Sequence, residues 1–219
     1  MFLLRLILMG APGSGKGTQA ELLVGQFGML HISTGEMLRD AIDRRTDLGE
    51  LVKPYMKNGH LVPDHHVISL VEDRLSQSDI EAGFILDGFP RTLHQVFAMD
   101  GLMQGQGLTL DGVIVIDVSE ETVVERASGR RVDPETTKVY NLNIKGERPP
   151  AHILNRLEKR DDDSEEIIRQ RMASYHQETD PAVEEYARRG HLIRIDGSAL
   201  PDTVFEELCR RLESVEQGS

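Results

Sequence analysis

The chain has 219 residues, 39% of which are apolar, and a formal net charge of −12 at neutral pH. This length suits one domain, or one domain with a small insertion. The acidic balance argues against binding to a nucleic-acid polymer, because phosphate backbones are bound by positively charged faces. A single cysteine, Cys209, excludes an internal disulfide and a cysteine-based zinc site, and it fits a reducing cytosol.

Five short apolar runs alternate with longer helical patterns. They cover residues 3–9, 29–32, 84–86, 113–118 and 192–195, and most lack the strict alternation of a half-exposed strand. Such runs are typical of strands that are covered on both faces. The first run is too short to span a membrane and has no basic leader or cleavage site, so we expect a soluble, cytoplasmic protein. The strand–helix rhythm predicts an α/β fold with a five-stranded parallel sheet and helices on both faces.

Two stretches interrupt this rhythm. From Ser33 to about Leu75 the sequence indicates several helices and no strand, and from Gly129 to Asp163 it indicates no helix of any length. We predict that both stretches contain insertions standing over one edge of the sheet. Asp163 ends the second one, and we expect its side chain to cap the helix that follows, with Glu166 three residues on in a capping-box relation.

The stretch GAPGSGKGT, residues 10–18, follows the first apolar run and opens a helix. Its four glycines allow successive backbone N–H groups to point inward, and the helix N-terminus adds a partial positive charge. The stretch therefore predicts a phosphate-binding loop. Lys16 is placed to reach the transferable phosphates, and Thr18 is placed to offer its hydroxyl to Mg²⁺ or to an α-phosphate.

A second motif, GFILDGFPR at residues 83–91, ends a buried strand in an acidic side chain. We expect Asp87 at the carboxyl edge of the sheet, where ligands bind in open α/β folds and where a carboxylate can hold a magnesium-bound water. Gly88, Phe89 and Pro90 form a fixed turn that aims Arg91 at the same place. A helix cap and a surface arginine are the alternatives, but a cap explains only Asp87.

Basic residues are concentrated in a third region. Between Arg126 and Arg160 there are nine Lys or Arg residues against four Asp or Glu residues, on a chain that is acidic as a whole. A solvated charged face is the usual origin of such a stretch. Here the excess lies on a predicted insertion that could fold over phosphates, which favours a role in phosphate binding.

Taken together, these motifs resemble those of the adenylate kinases, in particular the bacterial type with a long lid. The loop GAPGSGKGTQA has that family's glycine between Lys16 and Thr18, and the resemblance runs over residues 6–204. ISTGEMLR, GHLVPD, DGFPRT with Gln95, GRRV, and RDD followed by RQR occur in the family's order and spacing. The resemblance implies reversible, Mg²⁺-dependent transfer of the terminal phosphoryl group of ATP to AMP. This reaction gives two ADP and maintains the balance of adenine nucleotides.

The resemblance also implies a monomer with three regions and assigns residues to each substrate. The core would comprise 1–32, 63–128 and 164–219, with an AMP-binding insertion at 33–62 and a lid at 129–163. ATP would be bound by Gly13, Ser14, Gly15, Lys16, Gly17, Thr18, Arg126, Arg130, Val139, Tyr140 and Ala199. AMP would be bound by Thr34, Arg39, His60, Leu61, Val62, Gly88, Phe89, Pro90, Arg91, Gln95, Arg160 and Arg171. Transfer would depend on Lys16, Arg91, Arg130, Arg160 and Arg171, while Asp87 would hold Mg²⁺ through water with Thr18 as a possible ligand.

The lid departs from both forms that the family uses. It lacks the four cysteines of a zinc site, and where polar lids place an Asp and a Thr this chain has Pro150 and Ile153. We therefore predict a zinc-free lid that is closed by an apolar cluster. By their spacing, Tyr140, Leu142 and Ile144 share one face of a strand, and Ile153, Leu154 and Leu157 share one face of a helical turn.

Other functions remain as alternatives at this level. A nucleoside monophosphate kinase with another base preference would carry the same motifs, although Thr34 and Gln95 favour adenine. A switch GTPase should carry an Asn-Lys-x-Asp motif, and this chain has none. An inactive nucleotide-binding module should have lost Lys16, Asp87 or one of the arginines, and all are present.

Overall fold

The main sheet of the protein has five parallel strands. The computed structural model describes residues 4–136, 138–144, 149–160 and 162–216, with side chains up to residue 213. At the centre, β1 (Arg5–Gly10) pairs with β3 (Phe84–Asp87) on one side and with β4 (Gly112–Asp117) on the other, and β2 (Leu30–Ser33) and β7 (Leu192–Asp196) form the edges. The prediction of a five-stranded parallel sheet is confirmed, although Leu3, in the first predicted run, lies outside the described residues.

Helices connect the strands and cover both faces of the sheet. They are α1 (Lys16–Phe27), α2 (Thr34–Asp43), α3 (Asp47–Lys57), α4 (Asp64–Leu75), α5 (Leu93–Gly105), α6 (Glu120–Gly129), α7 (Glu165–Ser174), α8 (Asp180–Arg188) and α9 (Pro201–Glu216). Short 3₁₀ helices cover Ser78–Ala82 and Ala151–Arg156, and one π-helical turn, Tyr175–Thr179, joins α7 to α8. Within the described residues, no helix combines the length and the apolar character that crossing a bilayer requires.

The two faces of the sheet are buried in two separate cores. Ile7 and Met9 of β1 pack with α2 to α5 and α8, whereas Leu6 and Leu8 pack with α1 and α9. Successive side chains of a strand point to opposite faces, so an uninterrupted apolar run is what a strand between two cores requires. Burying each such Leu or Ile is worth about 1.5–3 kcal/mol, so both cores fix the position of the sheet edge that carries the motifs.

The lid segment, residues 129–163, contains a small antiparallel sheet of β5 (Arg130–Val132) and β6 (Val139–Asn141). The prediction of an apolar cluster is wrong for Leu142 and Leu154, whose side chains are 43% and 49% exposed. The inward side chain of β6 is Asn141 instead, because its amide donates to the backbone oxygen of Arg126 at 2.8 Å, near the end of α6. The contact with the end of α6 thus turns Asn141 inward, whereas the hydrophobic spacing predicted an inward face of Tyr140, Leu142 and Ile144.

Of the predicted cluster only Ile153 is fully buried, and a polar network crosses the lid segment instead. The buried carboxylate of Asp133 accepts hydrogen bonds from Arg156 at 2.6 Å, from the Thr136 hydroxyl at 2.9 Å and from the Glu135 backbone at 3.1 Å. Arg156 also pairs with the Glu135 carboxylate. One guanidinium therefore links the turn after β5 to the 3₁₀ helix, which closes the lid segment with hydrogen bonds.

The predicted cap of α7 is also corrected. Ser164 caps this helix by accepting from the backbone N–H of Ile167 at 3.3 Å. The preceding Asp163 is completely buried and pairs with Arg130, at the other end of the lid segment. A buried cation needs a carboxylate partner more than a helix end does, because a serine satisfies the helix equally well.

Candidate active site

The loop between β1 and α1 is tightly curled. Gly10, Gly13 and Gly15 have φ values of 141°, 80° and 101°, which side chains rarely adopt. A Cβ on Gly10 would stand 2.6 Å from the backbone oxygen of Ile116, so the neighbouring strand approaches the loop too closely for any other residue. Inside the curl, Nζ of Lys16 donates to the backbone oxygens of Gly10 at 2.7 Å and Ala11 at 2.8 Å. The sequence prediction of a curled glycine loop around Lys16 is confirmed.

The environment of Lys16 disfavours its charge. Burial is the main reason that its pKa falls from 10.5 to about 7; the nearby carboxylate of Asp87 raises the pKa, and the cations Arg91, Arg171 and Arg130 lower it. An amine with such a pKa gains strongly from an approaching anion, because the anion replaces the lost solvation. The loop thus favours the binding of an anion such as a phosphate group.

The end of α6 and the turn after β7 lie beside the loop. Arg126 of α6 donates to the backbone oxygen of Ser14 at 3.2 Å and to that of Ser198, which precedes Ala199, at 3.4 Å. The structure therefore brings Arg126 and the Ala199 turn to residues 13–18, as predicted. Val139 and Tyr140 lie on β6 of the lid segment, opposite Val132 and Arg131.

Asp87 ends β3 at the carboxyl edge of the sheet, beside a histidine that the sequence analysis did not single out. Its carboxylate stands 3.5 Å from Nε2 of His31. Burial raises the pKa of Asp87, but the contact with His31 and the charges of Lys16 and Arg91 outweigh burial and lower it below 3.8. Asp87 is therefore an ionised, partly buried carboxylate whose charge acts on Lys16 of the loop.

The turn that follows Asp87 is packed against the start of α2. Gly88 has a φ of 83°, and the Phe89–Pro90 peptide bond is cis. A Cβ on Gly88 would stand 2.8 Å from the Thr34 hydroxyl, and Nε of Arg91 donates to the Gly88 backbone oxygen at 2.8 Å. This turn aims the Arg91 guanidinium back over the strand ends, as the motif predicted.

One pocket joins this turn to the phosphate loop. Of the predicted residues it is lined by Lys16, Thr34, Arg39, His60, Leu61, Val62, Gly88, Pro90, Arg91, Gln95 and Arg171. Phe89 is not part of the lining, because its side chain is completely buried in the core beneath the turn. Arg160 lies outside the lining too, although its charge acts on the neighbouring Arg39 and Arg130.

Arginines surround the pocket on the side of the lid segment. Burial, together with neighbouring arginines, lowers the pKa of Arg160 and of Arg171 to about 10. Asp162 is their shared carboxylate, and it accepts a hydrogen bond from Arg171 at 2.5 Å. Lys16 and the five arginines at positions 39, 91, 130, 160 and 171 outnumber the carboxylates of Asp87, Asp162 and Asp163 around them. This excess of partly buried cations suits a polyanionic ligand.

Several residues of the site were missed in the sequence. Asp162 lines the pocket, but it stands in a run of acidic residues that reads as a solvated face; its neighbour Asp161 in the RDD motif lies outside the described residues. Tyr175 and Thr179 enter the pocket from the π-helical turn, which has no recognisable sequence signal although such turns are frequent at functional sites. His31 lies within a predicted strand and drew no attention for that reason.

Comparisons with known proteins identify the same family over most of the chain. The family model described as adenylate kinase matches residues 8–191. A protein of Kosmotoga olearia named adenylate kinase is 45% identical over 218 residues, covering 97% of this chain and 100% of that protein. Adenylate kinases of Carboxydothermus hydrogenoformans and Syntrophomonas wolfei are 43% and 41% identical, covering 96% and 97% of this chain and 100% of each relative.

Proposed function

The chain belongs to the adenylate kinase family, and from this premise we propose how its residues divide the work of the reaction. It is an ATP:AMP phosphotransferase, which converts ATP and AMP to two ADP. One observation carries the proposal: the pocket joins the glycine loop to the Asp87–Arg91 turn, with partly buried cations between them. Two polyanions can meet there with their charges neutralised.

We propose that ATP binds at residues 13–18 of the loop. The N-terminus of α1 and the backbone N–H groups would hold its phosphates, and Lys16 would move from its loop carbonyls to the transferring group. Arg126 and Ala199 lie beside the loop and would border the rest of the nucleotide. Val139 and Tyr140 would reach it from the lid segment.

AMP would bind in the part of the pocket between α2 and the turn after β3. Arg39 and Arg91 would hold its phosphate, because a guanidinium binds phosphate through two hydrogen bonds and stays charged. Thr34, His60–Val62, the Gly88–Pro90 turn and Gln95 would surround its base and sugar. The core, the insertion at 33–62 and the lid at 129–163 remain the proposed division of the chain.

The chemistry needs no general base. The attacking atom is a phosphate oxygen that is already anionic, so the protein has to hold two anions in line and neutralise the charge that is shared during transfer. Lys16 with Arg91, Arg130, Arg160 and Arg171 would do this. Closure of the lid segment would exclude water, which would otherwise hydrolyse ATP.

Magnesium fits the donor set of this site. The family in general uses Mg²⁺ bound to the nucleotide, and this ion prefers oxygen ligands and keeps part of its water shell. Asp87 is ionised and lies at the strand end near Lys16, so it would hold such a water, and the Thr18 hydroxyl is a possible further ligand. When bound, the ion supplies positive charge to the phosphates that are being transferred.

A cytoplasmic location and a monomeric state are part of the same proposal. The residues that line the pocket all come from one chain, so the proposed site needs no second copy. Light scattering after size exclusion tests the monomer: a mass of one chain is expected, and a stable dimer would overturn it.

The substrate assignment is tested by mixing ATP with AMP, GMP, CMP or UMP in turn and separating the products by chromatography. We expect ADP to form rapidly with AMP, and the other monophosphates to be phosphorylated at least a hundredfold more slowly. UMP or CMP reacting as fast as AMP would instead support a kinase with another base preference.

A further inference from the structure

Asp64, the first residue of α4, contacts three side chains at the start of α5. One of its carboxylate oxygens accepts from Nε2 of Gln95 at 2.7 Å. The other accepts from the Thr92 hydroxyl at 2.9 Å and contacts Nδ1 of His94 at 3.0 Å. In the sequence, Asp64 stood out only as the end of the turn GHLVPD.

These contacts fix which way the Gln95 amide points. A carboxylate can only accept, so the nitrogen of the amide must face Asp64, and a backbone N–H can only donate, so the oxygen must face Arg91. The oxygen does accept from the Arg91 backbone N–H at 2.7 Å. The orientation of this amide thus follows from its two partners. A reversed amide would place its N–H₂ donor against the Arg91 N–H and its oxygen against the Asp64 carboxylate.

Gln95 keeps half of its hydrogen-bonding capacity for the pocket that it lines. Its nitrogen carries a second N–H, and its oxygen has a second lone pair. Its side chain is almost completely buried, so a base that reached it without matching these groups would leave them unpaired at a cost. The amide therefore presents one acceptor and one donor in a fixed order.

We propose that Asp64 is a positioning residue that sets the choice between 6-amino and 6-oxo purines by holding the Gln95 amide in this order. The proposal rests on the placement of the AMP base at Gln95. Adenine offers an amino donor beside the ring acceptor N1, which matches an acceptor followed by a donor. Hypoxanthine and guanine offer a 6-oxo acceptor beside an N1–H donor, which would match only the reversed amide.

Thr92 connects this arrangement to the backbone. Its hydroxyl oxygen accepts from the backbone N–H of Gln95 at 3.1 Å and caps α5, while its hydroxyl proton is donated to Asp64. Asp64 therefore holds the first turn of α5 and the Gln95 side chain together. A loss of Asp64 leaves the backbone cap in place, but the Arg91 N–H is then the one remaining partner that orients the amide.

The experiment compares AMP with IMP, which differ at this edge alone. The wild type, Asp64→Ala and Asp64→Asn are assayed for kcat/KM with each nucleotide, at saturating ATP. We expect Asp64→Ala to reduce the AMP-to-IMP ratio about tenfold, the effect of one hydrogen bond that no longer discriminates. Asp64→Asn keeps the shape of the side chain and so keeps the fold testable. It should also reduce the ratio, because a neutral amide can donate or accept and so accepts either orientation of Gln95. The KM for ATP should stay the same.

Two further variants separate the possible outcomes. Asp73→Ala removes an exposed acidic residue from the same helix and should leave the ratio unchanged. Gln95→Leu should abolish the preference for AMP; if it does not, the proposed placement of the base is wrong. If Gln95→Leu loses the preference while the folded Asp64 variants keep the ratio of the wild type, only the role of Asp64 is overturned. An equal loss of kcat/KM with both nucleotides would likewise reduce Asp64 to a structural residue.

Discussion

The carboxylate of Asp163 accepts two hydrogen bonds from the guanidinium of Arg130, one of them at 2.8 Å from Nε. Arg130 directly follows α6, and Asp163 stands two residues before α7, so the pair joins the two ends of the lid segment. The Asp163 carboxylate has no exposure to solvent, and the Arg130 side chain is 16% exposed. A buried ion pair therefore fastens the base of the lid segment beside the phosphate loop.

Removing Asp163 should damage both stability and ATP use. Breaking a buried pair from one side leaves an uncompensated charge and costs about 3–5 kcal/mol. We expect Asp163→Ala to lower the melting temperature and to raise the KM for ATP more than that for AMP, because Arg130 loses its position. Thermal unfolding and steady-state kinetics measure the two effects.

An exposed ion pair nearby provides the control for this prediction. Glu165 and Arg169 pair at 2.7 Å, but both side chains are 65% exposed, and such pairs are worth less than about 1 kcal/mol. Glu165→Ala should therefore change neither measurement. A melting temperature for Asp163→Ala that equals that of Glu165→Ala would contradict the anchoring role.

Lys16→Met should abolish activity and, at low pH, stabilise the fold. The pKa of Lys16 is about 7 when folded against 10.5 otherwise, so between these values the unfolded chain binds a proton that the folded protein does not. Stability therefore rises with pH across this window, and below it the buried charge costs on the order of a few kcal/mol. Methionine removes that cost but also the two hydrogen bonds to the loop, which offsets part of the gain.

The measurements are melting curves near pH 6 and near pH 10, with turnover at neutral pH. We expect the methionine variant to melt above the wild type at the lower pH, the difference to shrink at the higher pH, and turnover to fall by at least about a hundredfold. Lys53→Met, at an exposed lysine of α3, serves as the control. A difference in melting temperature that does not vary with pH would show that the charge of Lys16 is not what destabilises the fold.

Much of the fold and of the phosphate side of the site could be predicted because the signals are local. A strand between two cores is apolar on both faces, so its sequence is an uninterrupted apolar run. Gly10, Gly13 and Gly15 have positive φ angles, which residues with a side chain rarely adopt. Asp87 and Arg91 stand at a strand end and in the next turn, so their spacing alone brings them together. In each case one short stretch contains its own physical reason.

The lid segment and the helix after it could not be predicted in this way, because their partners are far apart in the sequence. Asp163 pairs with Arg130, and Asn141 pairs with the backbone of Arg126, and neither contact can be seen in a local pattern. Hydrophobic spacing therefore gave β6 the wrong inward face. The π-helical turn at Tyr175–Thr179 adds one residue to a helix that its sequence describes as regular, so its pocket residues were missed.

The polar network of the lid segment predicts which substitutions matter there. Arg156→Ala would remove the guanidinium that connects the buried Asp133 to Glu135, so the lid segment should open more often. Leu154→Ala would change a side chain that is 49% exposed and should have little effect. Amide hydrogen exchange at Glu135, Val132 and Glu158, whose N–H groups are bonded within the lid segment, measures the opening.

We expect faster exchange in Arg156→Ala, at these three positions only, and the exchange of the wild type in Leu154→Ala. The reverse order would restore the apolar cluster as the main support of the lid segment.

The predicted absence of a zinc site in the lid segment has its own test. Chelation of divalent ions, followed by the return of Mg²⁺, should leave hydrogen exchange and activity unchanged. A zinc ion bound in stoichiometric amount would contradict the prediction of a zinc-free lid.

Arg39 should affect AMP more than ATP. It lies on α2 and lines the pocket beside the turn after β3, and burial lowers its pKa, so its charge gains from an anionic partner. We expect Arg39→Ala to raise the KM for AMP by at least about tenfold and to change the KM for ATP by much less. Arg44 lies at the end of the same helix, and its side chain is 71% exposed. Arg44→Ala should therefore change neither KM. Equal effects of Arg39→Ala on both substrates would contradict the proposed AMP site.

The His31–Asp87 pair should make stability depend on pH in a definite direction. Burial lowers the pKa of His31, but the contact with Asp87 and the negative charges of Asp87, Glu36 and Glu21 outweigh it and raise the pKa above 6.5. A histidine with a raised pKa contributes stability that is complete below its ordinary value and is lost as pH rises through the folded value. Asp87, with its pKa lowered below 3.8, contributes stability that is lost only as pH falls through that lowered value. The pair therefore stabilises the fold most between about pH 4 and pH 6.5.

His31→Gln keeps a polar side chain that does not titrate, so the wild type should melt above this variant near pH 5. The difference in melting temperature should narrow near pH 9. His152→Gln, at an exposed histidine of the lid segment, should follow the wild type at both pH values. A gap that widens as pH rises would mean that His31 is neutral when it contacts Asp87, and the ion pair would have to be abandoned.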